Sequence, residues 1–273
     1  MRIFVVGDLH GDEESFKNAL QIFNENKNVE DILIFLGDYT DRGPNGVEVI
    51  RELYELLRIR KDIIALKGNH ENYSKNGTPK FYPCTLIDEA NTKIKGGWEV
   101  FWKEIYQNFL EYLKLAYISG KVLFVHGGIS KKIKNKEDLF KKENEKILLW
   151  SDPYNGKCEI PNPRGAGVEF GEDVTKSVLK NLRLELIIRS HQPDKAANGQ
   201  PFFEHSGKIV TINSSKVYGL PFMITVDPEK AKVNDVISLK NLKFFKHIRT
   251  KKRVSKFSII FSNSNAAHNK NFI

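Results

Sequence analysis

Cysteine is scarce in this chain: Cys84 and Cys158 are the only two among 273 residues, they stand far apart, and neither falls in a metal-ligand spacing. That excludes a disulfide-stapled scaffold and a thiolate zinc site, and free thiols in a reducing cytoplasm are the expectation. No apolar run approaches the ~18 residues that a membrane span requires. Nothing at the N-terminus reads as a signal peptide, because the run Ile3–Val6 is broken at once by Gly7-Asp8. Acidic residues are missing from one region only. Residues 239–273 hold nine basic side chains (Lys240, Lys243, Lys246, Arg249, Lys251, Lys252, Arg253, Lys256 and Lys270) and no Asp or Glu. With 43 basic and 34 acidic residues in the whole chain, this tail carries the entire excess of +9 and residues 1–238 are neutral. The length suits one large domain over 1–238. The basic tail over 239–273 is either a solvated terminus, a handle for a polyanion or an acidic partner, or a segment whose Phe244, Phe245 and Ile248 pack back onto the body.

What is present is a pattern repeated three times. Ile3–Val6 leads into Gly7-Asp8, Ile32–Leu36 into Gly37-Asp38, and Ile63–Leu66, through Lys67, into Gly68-Asn69. These runs are apolar throughout rather than alternating, as strands buried on both faces should be. Between them, Phe16, Ala19, Leu20 and Phe23 share one helical face, and Val49, Ile50, Leu53, Leu56 and Leu57 share another. The spacing is that of tandem βαβ units, so right-handed crossovers place three parallel strands with their carboxyl ends on one sheet edge, where ligands bind in open α/β sheets. Further on, Trp98 to Leu113 reads as an amphipathic helix. Leu115–Ile118 and Val122–Val125 read as a hairpin around Ser119-Gly120, residues 151–171 as loop, and 172–182 as a helix. Strands are expected at Leu186–Ile188, Ile209–Ile212 and Phe222–Val226.

The polar residues at these strand ends are Asp8, His10, Asp38, Asp41, Arg42, Asn69, His70, His126 and His191. Carboxylates, imidazoles and a carboxamide oxygen suit borderline divalent metals such as manganese, iron or zinc. Gathering two aspartates and three histidines on one edge is costly without a cation. With two cations it becomes a clamp able to activate water and stabilise displacement at phosphorus. One Gly-Asp turn or one strand-end histidine would be unremarkable; five strand ends each presenting metal-competent side chains in a single chain are not.

The blocks Gly7-Asp8-Leu9-His10-Gly11, Gly37-Asp38-Tyr39-Thr40-Asp41-Arg42-Gly43 and Gly68-Asn69-His70-Glu71 resemble, in order and spacing, the signature blocks of the phosphoprotein phosphatase family of serine/threonine phosphatases. The likeness continues through His126-Gly127-Gly128, Leu149–Pro153, Arg164-Gly165 with Phe170-Gly171, and Arg189–Gln192, and covers roughly residues 1–226. It implies two mixed β-sheets packed face to face with helices outside. It also implies a first metal on Asp8 and His10, a second on Asn69, His126 and His191, and Asp38 bridging them. His70 would protonate the leaving oxygen, oriented by Asp41, while Arg42 and Arg164, with Asn69, would hold the phosphate. A metal-bridging hydroxide would be the nucleophile, so no phosphoenzyme is expected. The implied cofactors are two divalent ions, manganese first, and the implied partner is a phosphoprotein.

One block departs from the family. Where a Ser-Ala-Pro-Asn-Tyr sequence often follows a late strand, this chain has Ser214-Ser215-Lys216-Val217-Tyr218. Tyr218 keeps the matching offset and is counted with the phosphate-binding residues, but the loop before it differs. The competing enzymatic reading is a hydrolase of dinucleoside polyphosphates or other small phosphoesters. A catalytically dead binding module would be marked by a missing ligand, His70 or Arg42, and none is missing.

Overall fold

The computed structural model describes residues 1–240, and the tail readings beyond that point lie outside the described residues. The three apolar runs form β1 (Ile3–Val6), β2 (Ile32–Phe35) and β3 (Ile63–Ala65), joined through helices α1 (Glu13–Asn26) and α2 (Gly46–Ile59). β1 pairs with β2 and β2 with β3, both in parallel register. Asp12 caps α1: its carboxylate accepts from the Ser15 backbone N–H at 3.2 Å and from the Ser15 hydroxyl at 2.6 Å, satisfying a donor the first turn leaves orphaned.

Next come α3 (Leu86–Lys93) and a helical rod that the sequence reads as one element. The rod is α4 (Gly97–Phe101) and α5 (Gln107–Tyr112) joined by a π-helical turn over Trp102–Tyr106. The hairpin is β4 (Ala116–Ser119) and β5 (Val122–Val125), followed by α6 (Glu145–Trp150). The region read as loop contains a small three-stranded sheet of β6 (Asp152–Pro153), β7 (Glu159–Pro161) and β8 (Val168–Phe170), in the order β6-β8-β7. Strands of two or three residues, two of them ending in proline, have too little periodicity to be read locally. α7 (Glu172–Leu182) and β9 (Leu186–Arg189) follow, then β10 (Phe202–Glu204), β11 (Ile209–Thr211), β12 (Phe222–Asp227) and β13 (Lys232–Ser238). β10 and β13 are edge strands that the apolar pattern does not announce.

The two large sheets run β13-β12-β1-β2-β3 and β10-β11-β9-β5-β4, and both mix parallel with antiparallel pairs. Strand alternation sorts the apolar side chains into layers. Phe4, Val6, Leu33 and Phe35 pack with Phe16 and Phe23 of α1 and Ile50 and Leu53 of α2. Their neighbours Ile3, Val5 and Ile34 pack with Val122, Phe124, Ile188 and Val210 from the other sheet. On the far side Leu123, Val125 and Ile187 pack with Leu148, Val174, Val178 and Leu182. The result is the α/β/β/α sandwich. Leu239, counted with the tail by its position, is buried in the first layer, and its carbonyl accepts from the Asn18 amide at 2.6 Å. Cys84 and Cys158 are both free thiols, and no described helix is long and apolar enough to cross a membrane.

Candidate metal centre

The parallel strands deliver their following residues to one edge, and the backbone there is strained. Ten described non-glycine residues have positive φ, and five of them are His10 (46°), Asp38 (54°), Asp41 (69°), Arg42 (67°) and His191 (66°). Each costs about 1–3 kcal/mol and persists only where surrounding contacts enforce it. The contacts are plain. Leu9 and His10 both donate their backbone N–H to the Asp38 carbonyl, at 3.0 and 2.9 Å. Glu71, fully buried, accepts from the backbone N–H groups of Asp38 (2.8 Å), Tyr39 (3.0 Å) and Gly68 (2.9 Å), so one carboxylate fastens the turn after β2 to the turn after β3. Burial nevertheless pushes that carboxyl up to about 7. Gly68 has to be glycine, since a Cβ there would collide with Asp38.

Two overlapping groups of ligand atoms converge at this edge, each lying within 4.8 Å: His10, Asp38 and His70, and Asp38, His126 and His191. Asp38 belongs to both. Its Oδ2 is 3.5 Å from His10 Nε2 and its Oδ1 is 3.5 Å from His126 Nε2. His10 Nδ1 faces the Thr40 carbonyl at 2.8 Å and His126 Nδ1 the Leu36 carbonyl at 3.0 Å. A carbonyl can only accept, so both rings carry their proton on Nδ1 and turn a bare Nε2 lone pair into the site. His126 Nε2 then faces Asn69 Oδ1, an acceptor with no proton to give it, at 3.0 Å, and lies 3.2 Å from His191 Nδ1. Asp8 Oδ2 and His191 Nε2 are buried without any hydrogen-bond partner.

Converging, unpartnered acceptors fit divalent cations. On the protein's own groups alone, burial pushes Asp8 up to about 6 and Asp38 well above the carboxylate range, with the Asp8 charge adding to the effect on Asp38. Burial drives His10, His126 and His191 well below the ordinary imidazole value, which keeps them in the neutral form that binds metal. Asp8 stands 3.9 Å from His10 Nε2, so it and His70 compete geometrically for a place beside His10 and Asp38. His70 already commits Nδ1 to Asp41 Oδ2 at 2.7 Å, whereas Asp8 has a free oxygen. Asp8 is the better-placed candidate ligand.

Around this centre lie the remaining sequence-named residues. Burial raises Asp41, but its bond to His70 and those from the Thr85 (2.6 Å) and Leu86 (2.9 Å) N–H groups outweigh it, and the carboxyl is lowered overall. Arg42 is exposed, with its guanidinium carbon 5.8 Å above the Tyr218 ring, and that ring lies 5.5 Å from His10. The loop that departs from the family pattern is therefore anchored at the site: Ser214 Oγ accepts from Gly7 N–H at 2.8 Å, and Lys216 N–H donates to Asp12 at 2.8 Å. Arg164 is half-exposed and pairs through Nε with Asp152 Oδ2 at 3.2 Å. Asp152 also takes the fully buried Arg189 at 2.8 Å and stands 3.9 Å from His191 Nε2. Asp152 and Glu71 stood inside recognised blocks without an assigned task; their roles become visible only once separate blocks touch.

A two-sheet α/β sandwich that gathers carboxylates, imidazoles and a carboxamide at its strand ends defines a metal-dependent phosphoesterase. The chain belongs to the calcineurin-like phosphoesterase family, whose sequence profile matches residues 1–195. It is similar to serine/threonine-protein phosphatase PP1-delta of Caenorhabditis elegans, 32% identical over 231 residues, covering 79% of this chain and 70% of that protein. It is 35% identical over 231 residues to human serine/threonine-protein phosphatase 5, covering 80% of this chain but 43% of the relative. The chain spans about half the length or less of several curated relatives that it matches. A solved serine/threonine phosphatase from Saccharomyces cerevisiae, described as similar to human PP5, superposes with a TM-score of 0.67 at 27% identity, covering 87% of this chain and 78% of that one.

Proposed function

We propose that this chain hydrolyses phosphate monoesters, removing phosphate from phosphoserine and phosphothreonine in proteins. The observation that carries the reading is the Asp41–His70 pair standing beside two ligand groups that share Asp38. Asp8, His10 and Asp38 would hold one divalent cation, and Asp38, Asn69, His126 and His191 a second. Bound there, the two ions would neutralise phosphate charge and activate water for attack on phosphorus. Arg42 and Arg164 present guanidinium forks to the phosphate oxygens, with Tyr218 under Arg42 restraining it. His70, its Nδ1 held by Asp41, turns Nε2 toward the leaving oxygen and delivers the proton that lets an alcohol depart.

Manganese is the proposed ion, with iron and zinc as alternatives, and the proposed location is the cytoplasm. The basic tail from Asn241 onward is proposed to be an electrostatic handle for a polyanion or an acidic partner. Its removal should abolish salt-dependent retention on a polyanion column and leave small-substrate turnover within about two-fold. The central test is a substrate panel on metal-stripped enzyme resupplied with manganese, iron, zinc or magnesium. The reading expects phosphoserine and phosphothreonine peptides to be turned over best. A clear preference for diadenosine tetraphosphate, or for phosphotyrosine peptides, would overturn the substrate assignment.

A further inference from the structure

The stretch between Glu71 and Trp98 carries no recognisable motif, yet it grips the Asp41–His70 pair at two points. Where the stretch turns into α3, the Thr85 and Leu86 N–H groups hold Asp41 Oδ1 at 2.6 and 2.9 Å, while Asp41 Oδ2 faces His70 Nδ1 at 2.7 Å. In its middle, Phe81 sets its ring 4.6 Å from the His70 ring, with the planes at 47°. Phe81 is backed in turn: it meets Tyr73 edge-on at 5.3 Å, and Tyr73 meets Tyr106 at 5.2 Å and both Trp98 and Trp102 at 5.6 Å. Tyr106 and Trp102 sit in the buried layer outside the first sheet. Phe81 is therefore the outer end of an aromatic stack rooted in the core.

An imidazole fixed at one nitrogen keeps freedom to swing about that hydrogen bond. The His10 ring, at 4.8 Å and nearly perpendicular, restrains it in part, and Phe81 supplies a second surface. We propose that Phe81 is a positioning residue for His70, holding the imidazole so that Nε2 meets the leaving oxygen of an alkyl phosphate. The inference rests on the reading of His70 as proton donor. Its consequence is selective. The serine alkoxide is a poor leaving group and needs the proton, whereas p-nitrophenolate leaves without one. Loosening His70 should cost phosphoserine hydrolysis and spare p-nitrophenyl phosphate. Damage to the metal centre or to the fold would cost both.

The experiment measures kcat on a phosphoserine peptide and on p-nitrophenyl phosphate, with manganese, for wild type, Phe81→Ala, Phe81→Leu, Phe81→Tyr, His70→Asn and the double variant of His70→Asn with Phe81→Ala. Phe81→Ala should lower phosphoserine turnover about tenfold, within the ~10²-fold that a 1 Å misplacement can cost, and change p-nitrophenyl phosphate turnover by less than about two-fold. Phe81→Tyr, which keeps the ring, should behave as wild type. On the His70→Asn background, Phe81→Ala should cost nothing further on either substrate. Equal losses on the two substrates, or a loss that persists on the His70→Asn background, would overturn the assignment. If Phe81→Ala does not fold, Phe81→Leu against Phe81→Tyr makes the same comparison: only the leucine variant should lose phosphoserine turnover selectively, and identical ratios would end the proposal. Should His70→Asn itself reduce both substrates equally, the proton-donor reading fails. Discrimination by His70→Asn without discrimination by any Phe81 variant removes this inference alone.

Discussion

Asp38→Asn should change the sign of what a site mutation does to stability, depending on whether a metal is supplied. The carboxylate is buried, stands near the Asp8 and Glu71 charges, and is pushed well above its ordinary pKa by burial first and those charges second. Replacing it with a neutral isostere removes that unfavourable charge. An asparagine Oδ1 can still accept from the His70 N–H, a bond of 2.9 Å in the native protein. In the presence of a chelator the variant should therefore melt at or above the wild-type temperature near pH 8. With manganese the order reverses. At a hundred times its Kd, a bound ion stabilises by about 2.7 kcal/mol. At roughly 2–4 °C per kcal/mol for a domain of this size, the wild type should gain about 5–11 °C. Loss of an outer-shell partner alone weakens metal binding by about 10–100-fold, so a ligand shared by both groups should cost at least ~100-fold. At the same manganese concentration the stabilisation left to the variant is then about 0.4 kcal/mol, a shift of about 1–2 °C. Differential scanning fluorimetry with a manganese titration reads both numbers. A variant that keeps the full metal-induced shift would show that Asp38 is not a ligand. One that melts far below wild type in chelator would show that its carboxylate is structural.

Three further outcomes follow from the same geometry. His70→Asn should retain the manganese-induced shift in melting temperature while lowering phosphoserine turnover by about 10²–10⁴-fold, as loss of a general acid does; a lost shift would make His70 a ligand instead. Asp152→Ala should destabilise by about 3–5 kcal/mol in urea titration, because it strands the fully buried Arg189 guanidinium, and should raise KM as Arg164 loses its tether. Phe124→Ala, in the layer between the sheets, should cost about 3–5 kcal/mol with kcat unchanged at low temperature; a selective loss of kcat would mean that this layer tunes the site directly.

The parallel part of the first sheet was legible because β1, β2 and β3 are apolar on both faces and lead into a glycine turn, a pattern that survives without context. The candidate ligand residues could be picked out for the same reason: each is attached to the end of a readable strand. β6, β7 and β8 were not, since Asp152 and Pro153 make a strand only through pairing with Glu169 and Phe170. Edge strand β13, reading Lys-Val-Asn-Asp-Val-Ile-Ser, mixes polar residues into both faces and has no clean period. The grip of Glu71 on three backbone donors, and of Phe81 on His70, depends on residues brought together from different loops. A motif names one side of such a contact and says nothing of the other.

The alternation along β1 makes that strand a ruler. Its odd residues fill the gap between the sheets and its even residues fill the layer under α1, so it has no spare face to slide along. Deleting one residue would exchange the two sets and drive Phe4 into the space that Ile3 and Val5 share with the opposite sheet. It would also retract Asp8, a proposed metal ligand, by about 3.3 Å, one strand step, when such a ligand tolerates only ~0.2 Å. Changes of length should therefore be survivable in exposed connections such as the one between α1 and β2 and lethal in the strands. A library of single-codon deletions scored for turnover would trace the four layers of the sandwich as a map of forbidden positions.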